Sequence, residues 1–336
     1  MLEQFKRTML PAVEDELREI VSLTNLPGYE ELNSMLVYHM GWEEESPVSI
    51  PSGKRIRPLL VLLSASAAGG DWKVALSAAA AVELIHNFSL IHDDIQDNSE
   101  LRRGRPTIWK LWGVPQAINT GDMMFTLAQK AILKLKETTS LSTTVQASFI
   151  LQDSCLQLTQ GQYLDMSYES RDAMEIGSYW KMIEGKTAAL LAASTELGAL
   201  CGNAGDNARK SYRDFGFYLG LAFQTQDDLL GIWGDTMVTG KSAESDLVTG
   251  KKTLPILYGL EQRGDFYKGW KNQGLTIDEI PFLVSELEKE GAKEYTELRT
   301  NEMTDLALTA LENTNPNYEA GAALKSLAKN LLSRSD

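Results

Sequence analysis

Helical periodicity is the feature that most constrains the fold of this 336-residue chain. Apolar residues recur three and four positions apart along almost all of it, and the alternation typical of a half-buried strand is almost absent. Segments such as KTAALLAASTELGALCG are apolar around most of the helix and should be buried. The pattern predicts helices over about 3–22, 28–40, 57–68, 72–97, 115–137, 140–165, 172–183, 186–202, 206–232, 253–262, 276–290, 292–313 and 317–333. We predict one all-α domain over residues 1–336.

Composition narrows the class of protein. The net charge of −14 and the sequence pI of about 4.8 argue against a protein dominated by nucleic-acid contacts. Cys155 and Cys201 cannot form a disulfide framework or a zinc site, as expected in a reducing compartment. The N-terminal segment lacks the basic start and apolar run of a secretory signal. Charged or polar residues interrupt the apolar stretches, so we expect no membrane span and a cytoplasmic protein.

An apolar run, VALSAAAAVELIHNF, leads into the acidic segment HDDIQD. Asp93 and Asp97 are four positions apart and share one helix face, with Asp94 beside them. Like charges at this spacing destabilise a bare helix, and a divalent cation between them removes the repulsion. Oxygen ligands without histidine or cysteine are typical of Mg²⁺ that shares phosphate oxygens with a substrate. A solvated acidic helix end is the simpler interpretation, but it leaves the apolar run and the following arginines unexplained.

A second apolar helix ends in FQTQDDLLGIWGD. It carries Asp227 and Asp228, and Gln224 lies one turn earlier on the same face. The position four after Asp227 is Gly231, which is expected, with Gly234, to end the helix. If the two acidic helix ends face each other, they form a carboxylate-lined mouth over an apolar cavity.

Basic residues cluster in the connections next to these helices. In so acidic a chain the clustering favours an anion site, because arginine suits bidentate phosphate contacts and lysine acts as a point charge. For Arg55, Arg105 and Lys252, an ordinary solvated loop cation is an equally good interpretation. Carboxylates, cations and an apolar cavity together describe a site for a diphosphate with an apolar tail. The clustered residues are Lys54, Arg55, Arg57, Arg102, Arg103, Arg105, Lys186, Lys241, Lys251 and Lys252.

Ordered sequence blocks resemble a known family, the trans-isoprenyl diphosphate synthases, also called polyprenyl synthetases. The blocks are GKRIRP, ELIHNFSLIHDDIQD, LRRGRPT, NTGDMMF, GQYLD, YWKMIEGKTAAL, FQTQDDLLGIWGD and GKSAESDLVTGKKTLP. The resemblance implies an all-helical fold of the isoprenoid synthase type around a deep central cavity, in a homodimer. It also implies Mg²⁺-dependent, head-to-tail condensation of isopentenyl diphosphate with an allylic diphosphate.

The same resemblance assigns roles to individual residues. The metal-binding positions match Asp93, Asp97 and Asp227, with Asp94 and Asp228 in support. The isopentenyl diphosphate site matches Lys54, Arg57, His86 and Arg103. The positions around the allylic diphosphate match Arg102, Lys186, Thr187, Gln224, Lys241 and Lys251. Without the resemblance, His86 would be interpreted as a core histidine that is hydrogen-bonded to a neighbour. Asp165 in GQYLD is expected either to have a structural role or to support the cavity wall.

Two positions bear on the metal site and on the product. Gly231 stands where the family commonly has a third aspartate, and we expect activity to survive because Asp227 carries the ion. Replacing Gly231 by aspartate should then change activity only modestly. The first motif has no insertion, and Phe88 lies five residues before Asp93, which resembles the geranylgeranyl type. Ser89 leaves room for a growing chain and Phe88 narrows it, so a C20 product is favoured over C15.

Other functions use parts of the same site. A class I terpene synthase would use the carboxylates and metals, but it would not need the second anion site. A non-catalytic regulatory subunit of a prenyl synthase could dispense with its aspartates, yet this chain keeps most of the motif acids. A metal-dependent diphosphatase would need walls that admit water. A prenyl diphosphate synthase is therefore the preferred interpretation.

Overall fold

The structure, a computed structural model, describes residues 1–42, 53–169, 171, 174–234, 245–271 and 279–333. Within these ranges it is almost entirely helical, which confirms the predicted all-α class. Two 3₁₀ turns (Trp72–Ala75 and Leu135–Glu137), a π-helical turn (Glu184–Ala188) and a short hairpin of β1 (Leu101–Arg102) and β2 (Arg105–Pro106) complete it. The helices are α1 (Leu2–Ser22), α2 (Glu30–Met40), α3 (Ile56–Ala67), α4 (Leu76–Gln96), α5 (Ile108–Trp112), α6 (Val114–Lys134), α7 (Leu141–Glu169), α8 (Ile176–Ile183), α9 (Ala189–Cys201), α10 (Asp206–Trp233), α11 (Ser245–Thr249), α12 (Leu254–Gln262), α13 (Asp265–Lys271), α14 (Ile280–Lys289), α15 (Ala292–Asn313) and α16 (Tyr318–Leu332).

The observed helices match most of the predicted ones to within a few residues. The hairpin and the short helices α5, α11 and α13 were missed, because elements of five to seven residues are too short for periodicity to register. The predicted helix over 206–232 is confirmed to within one residue: α10 passes through Gly231, ends at Trp233 and is followed by Gly234. A single glycine does not stop a helix whose neighbouring turns are held by packing, and Ile232 beside it is buried.

The chain divides into two compact units, of which the first comprises Met1–Asp153, Ala193–Lys210 and Pro316–Leu324. Its core is centred on α4, whose segment Ala78–Ile85 is buried throughout and packs with α6 and α3. Small alanine side chains in this segment let the neighbouring helices approach closely. The single domain predicted over residues 1–336 stays a prediction.

The second unit comprises Ser154–Ala192, Ser211–Asn315 and Lys325–Asp336. One of its apolar clusters surrounds Tyr179 and Leu254 and includes the end of α8. Another contains Ile232 of α10, Leu247 of α11 and residues of α12 to α15. These clusters anchor the segments that carry the second aspartate motif.

The segment Trp72–Gln96 corrects one expectation from the sequence. By length and composition alone it is apolar enough to cross a membrane. However, 67% of its most apolar window is buried inside the protein, as expected for a core helix. Its apolar character is therefore explained by its place in the core and is no indication of a membrane span.

Candidate active site

The carboxylates of the first aspartate motif differ in exposure. Asp94 is 3% exposed, Asp93 is partly buried, and Asp97, which caps the C-terminus of α4, is exposed. The backbone N–H of Asp97 donates to the Asp93 carbonyl oxygen at 2.8 Å. The helical turn therefore continues through Asp97, and the side chains of Asp93 and Asp97 lie one turn apart, both reachable from solvent.

Asp94 is bound by an arginine. The Nε of Arg102 donates to both carboxylate oxygens of Asp94, at 2.8 and 2.9 Å, and its Nη2 lies 2.8 Å from Oδ1. The same Nη2 lies 3.5 Å from Oδ2 of Asp93. Burial raises the pKa of Asp94, and the hydrogen bond and charge of Arg102 oppose that shift. Both carboxylate oxygens of Asp94 are thus engaged by Arg102, and its predicted supporting role at the metal stays a prediction.

The hairpin positions Arg102 and Arg103. Arg103 and Gly104 both have positive φ, 54° and 77°, and Arg102 pairs with Arg105 across the turn. This is the geometry of a two-residue hairpin turn, which matches the natural twist of the strands. Arg102 thus reaches Asp94, whereas the Arg103 guanidinium lies next to Gly53.

Cationic groups converge on His86 in the first unit. The Arg103 guanidinium lies against Gly53, where a Cβ would come within 2.8 Å of Nη2. Gly53 also has φ of +87°, a backbone conformation that residues with a side chain rarely adopt and glycine adopts readily. Desolvation lowers the pKa of His86 well below its usual range, and the charges of Arg57 and Arg103 lower it further. Arg57 and Arg103 are thus near enough for their charges to act on His86, and exposed Lys54 directly follows Gly53 in the chain.

The basic residues with an alternative interpretation have structural contacts. Arg55 is 4% exposed and forms an ion pair with the buried Glu83 at 2.8 Å. The Arg105 guanidinium carbon lies 3.9 Å from the centroid of the Tyr38 ring. Lys252 donates to backbone carbonyl oxygens at and just beyond the end of α7, one of them at 2.6 Å. Arg55 is therefore not the solvated loop cation that the sequence allowed, and Arg105 and Lys252 also contact other parts of the protein.

The second aspartate motif repeats the pattern of the first. Asp227 is partly buried, whereas the adjacent Asp228 is 3% exposed. The Tyr179 hydroxyl donates to Oδ2 of Asp228 at 2.6 Å, and the Leu254 N–H donates to the same oxygen at 2.9 Å. The Gln224 amide donates to Oδ1 at 3.1 Å. Burial raises the pKa of Asp228 to about 7 despite these donors. Asp228 therefore lies in a buried hydrogen-bond network, Asp227 is partly exposed, and the predicted metal roles of both stay predictions.

Gln224 connects this network to the π-helical turn. The Thr187 hydroxyl donates to the Gln224 amide oxygen at 2.7 Å. Its neighbour Lys186 forms an ion pair with Asp165 of α7. Single π-helical turns are rare and occur frequently at functional sites. The structure therefore brings Lys186, Thr187 and Gln224 into one region of the second unit, and it gives Asp165 a definite partner.

Two glycines allow the π-helical turn to pack closely against α7. A Cβ at Gly161 of α7 would lie 2.6 Å from the carbonyl carbon of Gly185 and 2.8 Å from the Cα of Lys186. A Cβ at Gly185 would lie 2.5 Å from the Gln157 carbonyl oxygen. Such distances are shorter than side-chain atoms tolerate, so α7 and the turn touch backbone to backbone. This contact fixes the position of the Lys186 backbone.

The connection after α10 is only partly described. Lys241, one of the predicted allylic-diphosphate residues, lies outside the described residues. Lys251 is exposed and directly follows Gly250, which has φ of 70° and ends α11. Asp246, at the start of α11, lies over Gly231.

The residues predicted to limit product length lie on different sides of α4. The Phe88 ring centroid is 5.3 Å from that of Phe125 on α6 and 5.0 Å from the ring of His92. The Ser89 hydroxyl donates to the His86 carbonyl oxygen at 2.7 Å, so it folds back onto its own helix. Phe88 therefore belongs to an aromatic layer between α4 and α6, and the small, partly buried side chain of Ser89 lies against its own helix.

The metal prediction can be tested against the donor set. In the described part of the chain, no three histidine, cysteine or acidic side chains come together closely enough to hold an ion alone. The accessible acids Asp93, Asp97 and Asp227 offer oxygen only. Mg²⁺ is commonly held by one or two carboxylates together with substrate phosphate oxygens and water. The residues therefore fit a Mg²⁺ ion that arrives with a diphosphate.

Two residues of the site were not found from the sequence. Tyr179 holds Asp228, but no spacing links a tyrosine near the start of α8 to an aspartate in α10. Asp246 lies in the block GKSAESDLVTGKKTLP, where a short polar helix ending in glycine could have been recognised from its C-cap. Both contacts join segments far apart in the chain.

Comparisons with known proteins agree with this geometry. The sequence profile of the family Polyprenyl synthetase matches residues 45–273. Over 235 residues, the chain is 43% identical to the (2E,6E)-farnesyl diphosphate synthase of Mycobacterium tuberculosis (strain ATCC 25618 / H37Rv). That match covers 69% of this chain and 64% of the relative, so the chain spans less than two thirds of that relative's length. The geranylgeranyl diphosphate synthase of the same strain is 44% identical over 238 residues, covering 70% of this chain and 67% of the relative.

Solved structures share the fold over nearly the whole chain. A polyprenyl synthetase from Streptomyces coelicolor A3(2) superposes with a TM-score of 0.85 and 32% identity, covering 98% of both chains. The geranylgeranyl pyrophosphate synthase of Corynebacterium glutamicum, solved with isoprenyl diphosphate and magnesium, has a TM-score of 0.85, 26% identity and 99% coverage of both chains. The isoprenoid synthase fold expected from the sequence is therefore confirmed.

Proposed function

The chain belongs to the polyprenyl synthetase family, and from this premise we propose that it is a Mg²⁺-dependent prenyltransferase. It joins isopentenyl diphosphate head to tail with an allylic diphosphate and releases inorganic diphosphate. The product is a short all-trans prenyl diphosphate, geranylgeranyl (C20) in preference to farnesyl (C15). The observation that carries the proposal is the convergence of Arg57 and Arg103 on His86, because an enzyme that only cyclises one diphosphate has no use for a second anion site.

The first unit supplies the isopentenyl diphosphate site and part of the metal site. Lys54, Arg57 and Arg103 bind the diphosphate of isopentenyl diphosphate, and neutral His86 offers a hydrogen-bond donor without adding charge. Asp93 and Asp97 hold magnesium. Arg102, also in the first unit, matches a position around the allylic diphosphate. The second unit supplies further groups of the same kinds, which are Asp227 for magnesium and Lys186, Thr187, Gln224, Lys241 and Lys251 for the allylic diphosphate.

The chemistry requires charge stabilisation and a dry cavity. Bound magnesium would supply positive charge for the diphosphate that leaves when the allylic C–O bond breaks. Lysine and arginine side chains held by Asp165 and Asp94 supply the same stabilisation from the protein, without reorganisation during the reaction. The double bond of isopentenyl diphosphate then attacks the allylic carbon, and the departing diphosphate accepts the proton that is lost. Apolar walls exclude the water that would quench the cation.

We infer a homodimer from α7. Large apolar side chains on this helix are exposed at Val145 (53%), Phe149 (64%), Leu156 (60%) and Tyr163 (69%). Their spacing of four and seven residues places them along one helix face. A second copy of the chain is the occupant that the family resemblance implies. Light scattering during gel filtration tests this: Phe149→Glu should give a monomer, whereas Leu298→Glu on α15, exposed to 58%, should leave the dimer intact.

A product assay tests the proposed activity. The purified protein is incubated with Mg²⁺, labelled isopentenyl diphosphate and each of the dimethylallyl, geranyl and farnesyl diphosphates. Products are then sized before and after phosphatase treatment. We expect labelled C20 alcohol that is extractable only after the phosphatase. If none of the three allylic diphosphates gives labelled product, the proposal is contradicted and a regulatory subunit is favoured. Hydrocarbon formed without phosphatase would also contradict it and would favour a terpene synthase.

The assay needs a matched pair of aspartate variants. Asp93→Ala should lower turnover by orders of magnitude, because it removes a carboxylate from the metal site. Asp206→Ala is the control, since the Asp206 side chain is 98% exposed at the start of α10. Equal turnover in the two variants would count against the metal role of Asp93.

A further inference from the structure

In the last turn of α10, one position on the helix face of Asp227 has no side chain. Gly231 lies four residues after Asp227 and therefore on the same helix face. A Cβ at Gly231 would lie 2.7 Å from Cγ of Asp246 and closer still to its Oδ2. Side-chain atoms essentially never approach a neighbour within 3.0 Å. The space beside Asp227 that a residue at position 231 would take is already filled by a carboxylate from another segment.

Packing and backbone hydrogen bonds fix the segment that carries Asp246. Leu247, next to Asp246 in α11, is 2% exposed and belongs to the apolar cluster that contains Ile232. Gly250 donates its N–H to the Leu247 carbonyl oxygen at 3.2 Å, and Lys251 donates to the Asp246 carbonyl oxygen at 3.0 Å. These two bonds, with Gly250 in the left-handed conformation, form a Schellman cap. A buried anchor on one side and a cap on the other therefore fix a helix of only five residues.

The charge of Asp246 reaches the second aspartate motif. The pKa of Asp228 is raised first by burial, and the nearby charge of Asp246 raises it further. The pKa of Tyr179 is also raised, mainly by burial and Asp228, with smaller contributions from Asp227 and Asp246. Like charges that act on the same groups repel one another, and a cation between them reduces the repulsion. The arrangement becomes favourable when a divalent cation binds.

We propose that Asp246 supplies, beside Asp227, the carboxylate that the second aspartate motif lacks at Gly231. The assignment rests on the proposed function, because it concerns the same magnesium and diphosphate site. The Schellman cap fixes the backbone at both Asp246 and Lys251. One capped segment therefore presents a carboxylate to the metal and an ammonium group to the diphosphate. Glycine at position 231 is then a requirement. The expectation that Gly231→Asp changes activity only modestly is replaced by an expected loss.

Magnesium binding tests the proposal without relying on turnover. Calorimetry measures the affinity for Mg²⁺ in the presence of inorganic pyrophosphate, for the wild type, Asp246→Asn and the control Asp305→Asn. Asp305 is exposed on α15, far along the chain from the motif. We expect Asp246→Asn to weaken Mg²⁺ binding at least tenfold and Asp305→Asn less than twofold. Without Mg²⁺, the melting temperature of Asp246→Asn should stay within about 2 °C of the wild type, because relief of repulsion offsets lost contacts.

A carboxylate swap distinguishes a local role from general damage. Gly231→Asp alone should weaken Mg²⁺ binding, because the new side chain displaces Asp246. Gly231→Asp combined with Asp246→Ala restores one carboxylate and removes the collision, so its affinity should return to within about threefold of the wild type. Equal affinity for Asp246→Asn and Asp305→Asn, or a double variant no better than Asp246→Ala alone, would overturn the proposal. If the swap behaves as expected but no prenyl diphosphate forms, the assignment of Asp246 stands and the proposed synthase activity fails.

Discussion

The Nε of Arg102 lies 2.8 and 2.9 Å from the two carboxylate oxygens of Asp94, so the hairpin that carries Arg102 is tied to the end of α4. Only 4% of the Asp94 side chain is exposed, against 28% for Arg102. Asp94 therefore holds the guanidinium of Arg102 on its buried side, and the other side of the guanidinium stays exposed. Positioned in this way, Arg102 loses little conformational entropy when it binds a diphosphate.

Asp94→Asn should destabilise the protein by about 1–3 kcal/mol, because it leaves Arg102 without its charged partner. The affinity for the allylic diphosphate should also fall. The control is Glu100→Gln in the same hairpin region, which breaks the exposed Lys110–Glu100 pair and should cost less than about 1 kcal/mol. Urea unfolding of both variants measures the difference, and equal costs would show that the Asp94 contact is no stronger than a surface pair.

Tyr179→Phe should destabilise the second unit by about 1–3 kcal/mol, because it removes the hydroxyl donor from a buried carboxyl group. Tyr318→Phe is the matched control, since Tyr318 is 81% exposed. It should change the free energy of unfolding by less than about 0.5 kcal/mol. The prediction fails if thermal unfolding does not separate the two variants.

Gly161→Ala should be strongly destabilising, by about 3 kcal/mol or more, since the added methyl group collides with the backbone of the π-helical turn. Activity should fall with it, because Lys186 lies in that turn. Gly177→Ala in α8 meets nothing within 4 Å and should stabilise the protein by about 0.5 kcal/mol. Chemical denaturation gives both numbers, and a tolerated Gly161→Ala would mean that the two backbones separate easily.

Phe88→Ala should lengthen the products beyond those of the wild type, because it opens the aromatic layer between α4 and α6. Phe125→Ala should act in the same direction if the two rings, 5.3 Å apart, form one barrier. Ser89→Phe should shorten the products instead, since it replaces a small side chain of α4 with a large ring. Chromatography of the dephosphorylated products reads out chain length, and an unchanged distribution in Phe88→Ala would place the limit elsewhere.

The protein should become less stable as the pH is lowered from the ordinary pKa of histidine towards the lowered pKa of His39. Desolvation, and then the charges of Arg102 and Arg103, lower the pKa of His39 from 6.5 to about 3. Between these values the unfolded chain binds a proton that the folded protein does not, so the free energy of unfolding decreases as the pH decreases. His39→Gln should make the melting temperature less dependent on pH between 7 and 5, and parallel curves for the two proteins would refute the assignment.

The position and type of most helices could be predicted from the sequence, because apolar spacing determines which faces are buried. The two aspartate motifs and the cations near them were also recognisable from local spacing. The partners of these residues were not. That Asp94 is held by Arg102 and Asp228 by Tyr179 depends on loop and helix contacts over eight and 49 positions respectively, which no local pattern encodes.

The sequence by itself determined an all-α protein with two acidic helix ends, a separate set of cations and the resemblance to polyprenyl synthetases. Tertiary structure alone decided which acid of each adjacent pair is buried and hydrogen-bonded and which stays accessible. It also decided that the space over Gly231 belongs to Asp246. The physical reason is that periodicity reports the direction of a side chain on its own helix, whereas desolvation and hydrogen bonding depend on what other segments place beside it.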